Sequence, residues 1–293
     1  STNSSIGLIY ALKKIFIYKN NLFEILMINI KNLIKNSSIT YSIYEFFFQI
    51  RMRYCFLFFK FFLSKEKYNF FRDIIIKLNK EGYCKIDNFY SNTEVELLDH
   101  QSNKILNDVE NQKISKENIE KVEGEIKVKD LSSKYNFLKR YSTDMFFLIL
   151  TTVFVGRPKM PSVIFNLKHD GCLKLNSVPG SCKEAISAKP HIDAGFHYLK
   201  TMVLLSDVTL DNGPTVIVPG SYKDQKLSSL IKKIRVDKKS TLLNEDTFNY
   251  LKNNKKQIHL TGKKGDIYLV DTYNVHWAKE INKGFRKLIW YYF

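Results

Sequence analysis

Two short segments, far apart in the chain, carry side chains that commonly bind metal ions. The first is His191-Ile192-Asp193, and the second ends in His276. Side chains at positions i and i+2 of an extended strand point to the same face, so His191 and Asp193 can reach one metal ion together. Two histidines and one carboxylate are the ligand set of non-haem Fe(II) oxygenases, which leave positions open for a co-substrate and O2. These three residues are therefore predicted to be the metal ligands and the catalytic centre.

Short motifs follow the H-x-D pair in a defined order. They are Leu205-Ser206-Asp207, Asn212-Gly213, Pro219-Gly220-Ser221 and Gly265-Asp266. Together with His276 and Arg286, that order resembles the phytanoyl-CoA dioxygenase-like (PhyH) family of Fe(II)/2-oxoglutarate oxygenases over residues 161–293. Tyr222 stands where the family usually has His, at a position that is not a metal ligand.

The resemblance implies Fe(II) as the metal, 2-oxoglutarate as the co-substrate and O2 as the oxidant. A family arginine follows the second histidine by about the spacing of Arg286, whose guanidinium can bind the free carboxylate of 2-oxoglutarate with two parallel hydrogen bonds. In such enzymes the strand before the H-x-D pair faces the co-substrate, so Asn166 and Lys168 are further candidates for binding it. The carboxylate of Asp193 implies hydroxylation or a related oxidation, because halogenating relatives lack it.

The fold is predicted as α+β, with a double-stranded β-helix (jelly-roll, cupin-like) core, a helical N-terminal extension and flanking helices. Short strands after residue 161 are separated by turn signals at 211–214, 219–221 and 262–266, a spacing typical of an antiparallel double sheet. We expect a basic, Phe-rich extension at 1–65 and an oxygenase domain at 66–293, with the catalytic core at 161–293.

Other elements follow from local patterns. Residues 68–79 have the apolar spacing of an amphipathic helix, and a strand at 83–87, a helix from Asn92 and a strand at 162–168 are also expected. Residues 145–155 are an uncharged run that fits either a buried helix or a strand. The patterns further predict an exposed helix pair or insertion at 101–135, a loop at 171–189 and helices within 223–257.

The first 65 residues are rich in both Phe and Lys/Arg, and they contain almost no Gly or Pro. Within them, residues 44–63 are predicted to form a helix with a narrow polar stripe of Glu45, Gln49, Arg53 and Lys60. Its wide apolar surface must be buried against something. It packs on the outer face of the catalytic sheet, lies in a membrane interface or forms a homodimer contact, and the sequence leaves these three alternatives open.

The chain carries a formal net charge of +17. This excess reflects either solubility and compositional bias or an anionic partner. The sequence does not favour nucleic acid as a partner, because the aromatic residues are concentrated in the N-terminal segment and do not alternate with basic residues along a strand. No apolar run is long enough for a membrane-spanning helix. We expect a cytoplasmic protein, with peripheral contact at the inner membrane face as an alternative.

The combined prediction is an Fe(II)/2-oxoglutarate-dependent dioxygenase that hydroxylates an unactivated C–H bond of a small anionic substrate. Lipid-linked, phosphorylated and sugar-acid compounds are the classes considered. The first alternative is a non-catalytic membrane- or anion-binding protein on the same scaffold. A cupin-like metalloenzyme that works without 2-oxoglutarate is the second.

Overall fold

The structure, a computed structural model, describes residues 39–293 except 123, 136–137, 139–143, 157–158, 160, 170–187, 194–196, 225–226 and 228–241. Its helices are α1 (Ile39–Phe59), α2 (Lys65–Glu81), α3 (Asn92–Glu110), α4 (Leu131–Lys134), α5 (Met145–Phe154) and α6 (Glu245–Asn254). Its strands are β1 (Tyr83–Ile86), β2 (Ile119–Val122), β3 (Glu125–Val128), β4 (Ser162–His169), β5 (Leu199–Leu204), β6 (Thr215–Ile217), β7 (Ile258–Leu260), β8 (Ile267–Asp271), β9 (His276–Ala278) and β10 (Phe285–Tyr292).

The described strands form two antiparallel sheets. The large sheet has the order β1-β8-β5-β10-β4-β3-β2, and the small sheet has the order β7-β6-β9. Apart from the β2–β3 hairpin, neighbours in each sheet are distant in sequence, as they are when a jelly roll winds one sheet onto another. The predicted double-stranded β-helix core, with helices around it, is confirmed.

Alternation along the strands gives the large sheet two different faces. Side chains such as Met202, Tyr268 and Leu288 point inward and pack against Ile217 and Leu260 of the small sheet. The intervening residues point outward into a larger apolar core shared with the helices, and these include Val163, Phe165, Val203, Leu269 and Ile289. The inner face bounds the candidate site, and the outer face holds the helices.

Helix α1 is part of this outer core. Phe48, Met52, Cys55 and Phe59 are buried there, and α1 packs against α5. Of the three alternatives for the Phe-rich helix, packing on the outer side of the sheet is confirmed for residues 44–59, while 1–38 lie outside the described residues. Across the described ranges, no helix is both long enough and apolar enough to cross a membrane.

A close backbone approach joins α2 to the turn that carries the second histidine. Gly82 ends α2 in the left-handed conformation with φ 80°, which favours glycine. A Cβ at Gly82 would lie 2.2 Å from the Asn274 side chain. The Gly82 carbonyl also accepts a hydrogen bond of 2.7 Å from the amide of Asp271. Only glycine leaves room for this turn.

Most of the local predictions are confirmed. The helix at 68–79 is the interior of α2, and the predicted strands at 83–87 and 162–168 are β1 and β4. Ser91 and Glu94 form a capping box at the start of α3. The uncharged run at 145–155 is helical, as α5.

One prediction is wrong and two others are tested only in part. Residues 101–135 are not an exposed helix pair or insertion. They continue α3 and then form the β2–β3 hairpin, which extends the large sheet and buries Ile126 and Val128. The expected loop at 171–189 lies almost wholly outside the described residues, and α6 is the described helix within 223–257.

His197 lies behind the inner sheet face, buried between two carboxylates. Its Nδ1 is 2.5 Å from Asp271 Oδ2 and its Nε2 is 2.9 Å from Glu45 Oε2 on α1. Burial acts to lower the pKa of His197, but the charges and hydrogen bonds of Asp271 and Glu45 outweigh it and raise the pKa to about 9. The other titratable groups facing the ring are Tyr222 and Tyr273, whereas Tyr44 stacks beside it.

The raised pKa of His197 predicts how stability depends on pH. The charged His197 stabilises the folded state fully below the unfolded-state pKa near 6.5, and this stabilisation is lost as pH rises through about 9. The difference between the folded-state and unfolded-state pKa of His197 corresponds to on the order of 3 kcal/mol of unfolding free energy. We expect the unfolding free energy of the wild type to fall relative to that of His197→Gln between pH 6.5 and 9.5, measured by urea denaturation. Parallel curves for the two proteins over this range would contradict the assignment of His197 as charged.

Candidate metal centre

The backbones of the two histidine segments pair directly with each other. The His191 amide donates to the His276 carbonyl at 3.0 Å, and the His276 amide donates to the His191 carbonyl at 2.9 Å. His191 thereby extends the small sheet beyond β9 as an isolated bridge. Two residues on, the Asp193 amide donates to the Thr272 carbonyl at 3.1 Å. This pairing brings together three side chains that are far apart in sequence.

The three predicted ligands converge at one point. One ligand atom from each of His191, Asp193 and His276 lies within 4.8 Å of the other two. Asp193 Oδ1 is 3.8 Å from His191 Nε2, and Asp193 Oδ2 is 3.3 Å from His276 Nε2. The other ring nitrogens bond to backbone carbonyls, with His191 Nδ1 2.7 Å from Lys189 O and His276 Nδ1 2.9 Å from Asn274 O. Such bonds fix the tautomer and direct Nε2 at a metal.

The electrostatics suit a divalent cation. Burial, reinforced by the neighbouring His276, lowers the pKa of His191 to about 4, so its imidazole is neutral at pH 7. Burial acts to raise the pKa of Asp193, but His276 and Lys200 outweigh it and hold the pKa well below its usual range. A neutral imidazole and an ionised carboxylate are the forms that bind metal. The donor set therefore fits Fe(II).

A cavity of about 240 Å³ opens beside the triad, between the inner face of the large sheet and the small sheet. Beyond the triad, its walls combine aromatic, aliphatic and charged side chains. They are Glu125, Lys127, Ile164, Asn166, Lys200, Thr215, Trp277, Ala278, Arg286, Trp290 and Tyr292. A pocket of this composition can hold a small polar ligand against the metal.

Arg286 lies in the wall of this cavity, as its sequence position suggested. It is 3% exposed, and its guanidinium donates one hydrogen bond to the Gly213 carbonyl. Its Nε is buried without a hydrogen-bond partner among the described residues. Burial lowers the pKa of Arg286, with the charge of Glu125 partly opposing it. A buried cation with a spare donor suits an anionic ligand.

Asn166 and Lys168 both lie on the inner face of β4, but they differ in access to the cavity. Asn166 lines it and donates to Glu125 Oε1 at 2.7 Å, while its Oδ1 has no partner among the described residues. Lys168 is paired in register with Arg286, and its Nζ donates to the Lys279 carbonyl at 3.4 Å. Burial and the charge of Arg286 lower the pKa of Lys168.

Three other charged residues in the cavity wall are not predicted from sequence. Lys200 Nζ is 2.5 Å from Asp193 Oδ2 and 4.0 Å from the centroid of the Tyr292 ring. Glu125 and Lys127 come from β3, with 3.5 Å between their charged groups. Strand alternation in 199–204 could have indicated that Lys200 faces inward. For β3, four residues are too few for alternation to indicate a strand.

Solved structures of iron-dependent oxygenases have the same fold. EctD from S. alaskensis with bound Fe matches with a TM-score of 0.53 and 16% identity, over 78% of this chain and 76% of that chain. The epimerase SnoN, in complex with Fe3+, alpha ketoglutarate and nogalamycin RO, matches with a TM-score of 0.52 and 16% identity, over 75% of this chain and 82% of that chain. The carbocyclase SnoK matches with a TM-score of 0.51 and 16% identity, over 78% of this chain and 83% of that chain. A search of curated protein sequences finds no significant match.

The sequence itself matches a family over most of its length. The phytanoyl-CoA dioxygenase (PhyH) family aligns with residues 78–288, a range that includes the triad and Arg286. Family membership, the jelly-roll fold and the converging His-Asp-His side chains agree with one another. The chain belongs to the phytanoyl-CoA dioxygenase (PhyH) family and is an iron- and 2-oxoglutarate-dependent dioxygenase.

Proposed function

We propose that this dioxygenase hydroxylates an unactivated C–H bond of a small anionic substrate. The single observation that carries the proposal is the buried Lys200 ammonium in the cavity wall beside the metal ligand Asp193. When bound, iron and 2-oxoglutarate supply the oxidation, in which one atom of O2 enters the C–H bond and the other enters succinate as CO2 leaves. His191, Asp193 and His276 would hold the iron, and the remaining wall residues would orient the two organic ligands.

Arg286 is proposed to bind the second carboxylate of 2-oxoglutarate. Its unpartnered Nε and the cavity-lining Asn166 beside it on β4 support this end of the cavity as the co-substrate site. Lys168 adds a second buried cation next to Arg286 and is proposed to stabilise the same carboxylate electrostatically. A buried carboxylate gains most from such paired, charge-assisted donors.

Lys200 is proposed to bind the substrate, because it lies at the other end of the cavity. It pairs in register with Tyr292, six residues along β10 from Arg286, which places about 20 Å of strand between the two positions. A further space of about 460 Å³ adjoins the Lys200 end, and Tyr198, Lys127 and Lys129 are among the residues around it.

Hydroxylation is the reaction that the ligand Asp193 favours, but proteins of this fold also carry out other reactions. SnoN is an epimerase, SnoK is a carbocyclase, and one EctD structure contains 2-oxoglutarate and 5-hydroxyectoine. The product of any substrate found should therefore be identified by mass, because hydroxylation adds one oxygen atom whereas epimerisation leaves the mass unchanged.

Metal and co-substrate binding can be tested without a known substrate. Under anaerobic conditions, Fe(II) and 2-oxoglutarate should give the weak charge-transfer absorption of the chelate in the wild type, and His191→Ala and Asp193→Ala should lose it. Arg286→Ala should retain Fe(II) but bind 2-oxoglutarate roughly 10- to 100-fold more weakly, the effect of removing a charge-assisted pair. Arg53→Ala, a change at an exposed arginine, is the matched control.

Two results would count against this assignment. If folded wild-type protein binds neither Fe(II) nor 2-oxoglutarate, the metal centre is wrong. If Arg286→Ala binds 2-oxoglutarate as tightly as the Arg53→Ala control, the co-substrate carboxylate lies elsewhere in the cavity.

The substrate end is tested with matched pairs of small carboxylic acids and their uncharged primary amides. The wild type should form succinate from 2-oxoglutarate faster with acids than with amides, and Lys200→Met should lose that preference by roughly 10-fold or more, because a charge-assisted hydrogen bond is worth about 1.5–3 kcal/mol. The charge-transfer band must be retained in Lys200→Met, which separates substrate binding from metal binding. Equal preference in Lys200→Met and wild type would exclude Lys200 as the anion site.

The outer side of α1 supports a second proposal, peripheral contact with an anionic membrane surface. Phe46, Tyr54, Leu57 and Phe61 are 60%, 62%, 57% and 84% exposed. The first three recur at helical spacing along α1, and Phe61 lies within one turn after its end. Lysines at 60, 65 and 67 are exposed beside them. Apolar side chains flanked by lysines are typical of an interfacial segment.

Vesicle sedimentation tests this contact. The protein should bind phosphatidylserine-containing vesicles more tightly than pure phosphatidylcholine, and Phe61→Ser should weaken binding by roughly 10-fold, from the loss of about 1.5 kcal/mol of buried apolar surface. Leu210→Ser, at another exposed apolar residue, is the control. If neither vesicle is bound and light scattering shows a dimer that Phe61→Ser dissociates, the surface is a subunit contact instead.

A further inference from the structure

We infer that Glu45 is a positioning residue for the metal centre, acting through His197 and Asp271. Glu45 lies on α1, outside the 78–288 range that matches the family. The inference rests on the proposed metal-binding role of the triad, and it adds a part of the chain that the family assignment leaves without a role. It is carried by hydrogen bonds that run from α1 through His197 to Asp271, and by the backbone turn after Asp271 that contacts two of the metal ligands.

The first step joins α1 to the core. Glu45 Oε2 is 2.9 Å from His197 Nε2, and its other oxygen accepts a hydrogen bond of 2.8 Å from Gln49 Nε2, one turn along the helix. Gln49 also donates to Asn79 Oδ1 on α2 at 2.9 Å. Both carboxylate oxygens of Glu45 are thus held, and α1 presents the group in one orientation.

The second step fixes the imidazole between its two acids. His197 Nδ1 is 2.5 Å from Asp271 Oδ2, so both ring nitrogens are engaged. The ring stacks on Phe48 with 4.0 Å between centroids, and Phe154 and Tyr222 contact it edge-on. Apolar rings set its plane, and the two carboxylates set its rotation.

The third step reaches the metal ligands. Asp271 Oδ1 accepts from the amide of Tyr198 at 3.0 Å and from the amide of Tyr273 at 3.2 Å, which closes the turn between β8 and β9. Within that turn, the Thr272 carbonyl accepts from the Asp193 amide at 3.1 Å, and the Asn274 carbonyl is 2.9 Å from His276 Nδ1. The turn that Asp271 closes therefore orients two of the three ligands.

A purely apolar contact would serve stability as well as this charged one. Replacing buried ions with well-packed apolar groups is often neutral or stabilising, so buried ions are weak evidence for a stability role. What the charge of Glu45 adds is a defined protonation state of His197, and hence a hydrogen bond on each side of the ring. The charge of Glu45 therefore affects the geometry of the turn, and the turn in turn positions Asp193 and His276.

The test compares Fe(II) affinity in variants of the full chain under anaerobic conditions. Glu45→Gln keeps the shape but removes the charge, and we expect it to weaken Fe(II) binding about three- to tenfold, less than the 10- to 100-fold typical of a group bonded directly to a ligand. Glu45→Asp, which keeps the charge, should bind Fe(II) nearly as the wild type does. Glu66→Gln, at an exposed residue on α2, is the matched control.

A pH series separates positioning from a merely structural role. Without Glu45, His197 should lose its proton at a lower pH, so Fe(II) affinity in Glu45→Gln should decline between pH 6.5 and 9 more steeply than in the wild type. In the His197→Gln background, Glu45→Gln should have no further effect on Fe(II) affinity, because the imidazole that links Glu45 to Asp271 is absent. Urea denaturation at each pH ensures that only folded protein is compared.

The outcomes distinguish this inference from the proposed function. If the wild type binds Fe(II) and Glu45→Gln matches it in affinity and pH profile, Glu45 has no positioning role, and the metal centre stands. If the loss in Glu45→Gln is undiminished in the His197→Gln background, Glu45 does not act through His197. If folded wild type binds no Fe(II), the metal centre fails and this inference fails with it.

Discussion

The active centre depends on one antiparallel pairing, in which His191 and His276 exchange backbone hydrogen bonds of 3.0 and 2.9 Å. Because paired residues on neighbouring strands have adjacent side chains, this contact sets the separation of the two imidazoles. Asp193 follows at i+2 and turns to the same side. The tight β8–β9 turn, which Gly82 approaches too closely for any side chain, determines where His276 enters the small sheet.

The metal ligands and Arg286 could be predicted from sequence, because each lies in a short local motif. His191 and Asp193 are two residues apart, and His276 and Arg286 lie within recognisable motifs. Glu45 could not be assigned, because its role arises from a contact across 152 residues to His197. Long-range contacts of this kind follow from the packing of α1 on the sheet, which a single sequence does not specify.

The fold was predictable to a similar extent and for similar reasons. Amphipathic α2 repeats its apolar spacing over four turns, and β4 is long enough to show an apolar run. The β2–β3 hairpin has strands of only four residues each, with Glu125 and Lys127 alternating with Ile126 and Val128. So short a pattern is not distinguishable from a charged surface segment, which is why residues 101–135 are predicted to be an exposed helix pair or insertion. That error concealed two charged residues of the cavity.

The charges within the cavity support the proposal of an anionic substrate independently of the chain's overall charge. Arg286, Lys200 and Lys127 face Asp193 and Glu125, and a divalent metal adds two further positive charges to the same space. The two carboxylates of 2-oxoglutarate offset only part of that excess. Buried charge that is left unbalanced is costly. A substrate that brings a negative group to the Lys200 end would balance it, whereas a neutral substrate would leave the ammonium competing with the metal for Asp193.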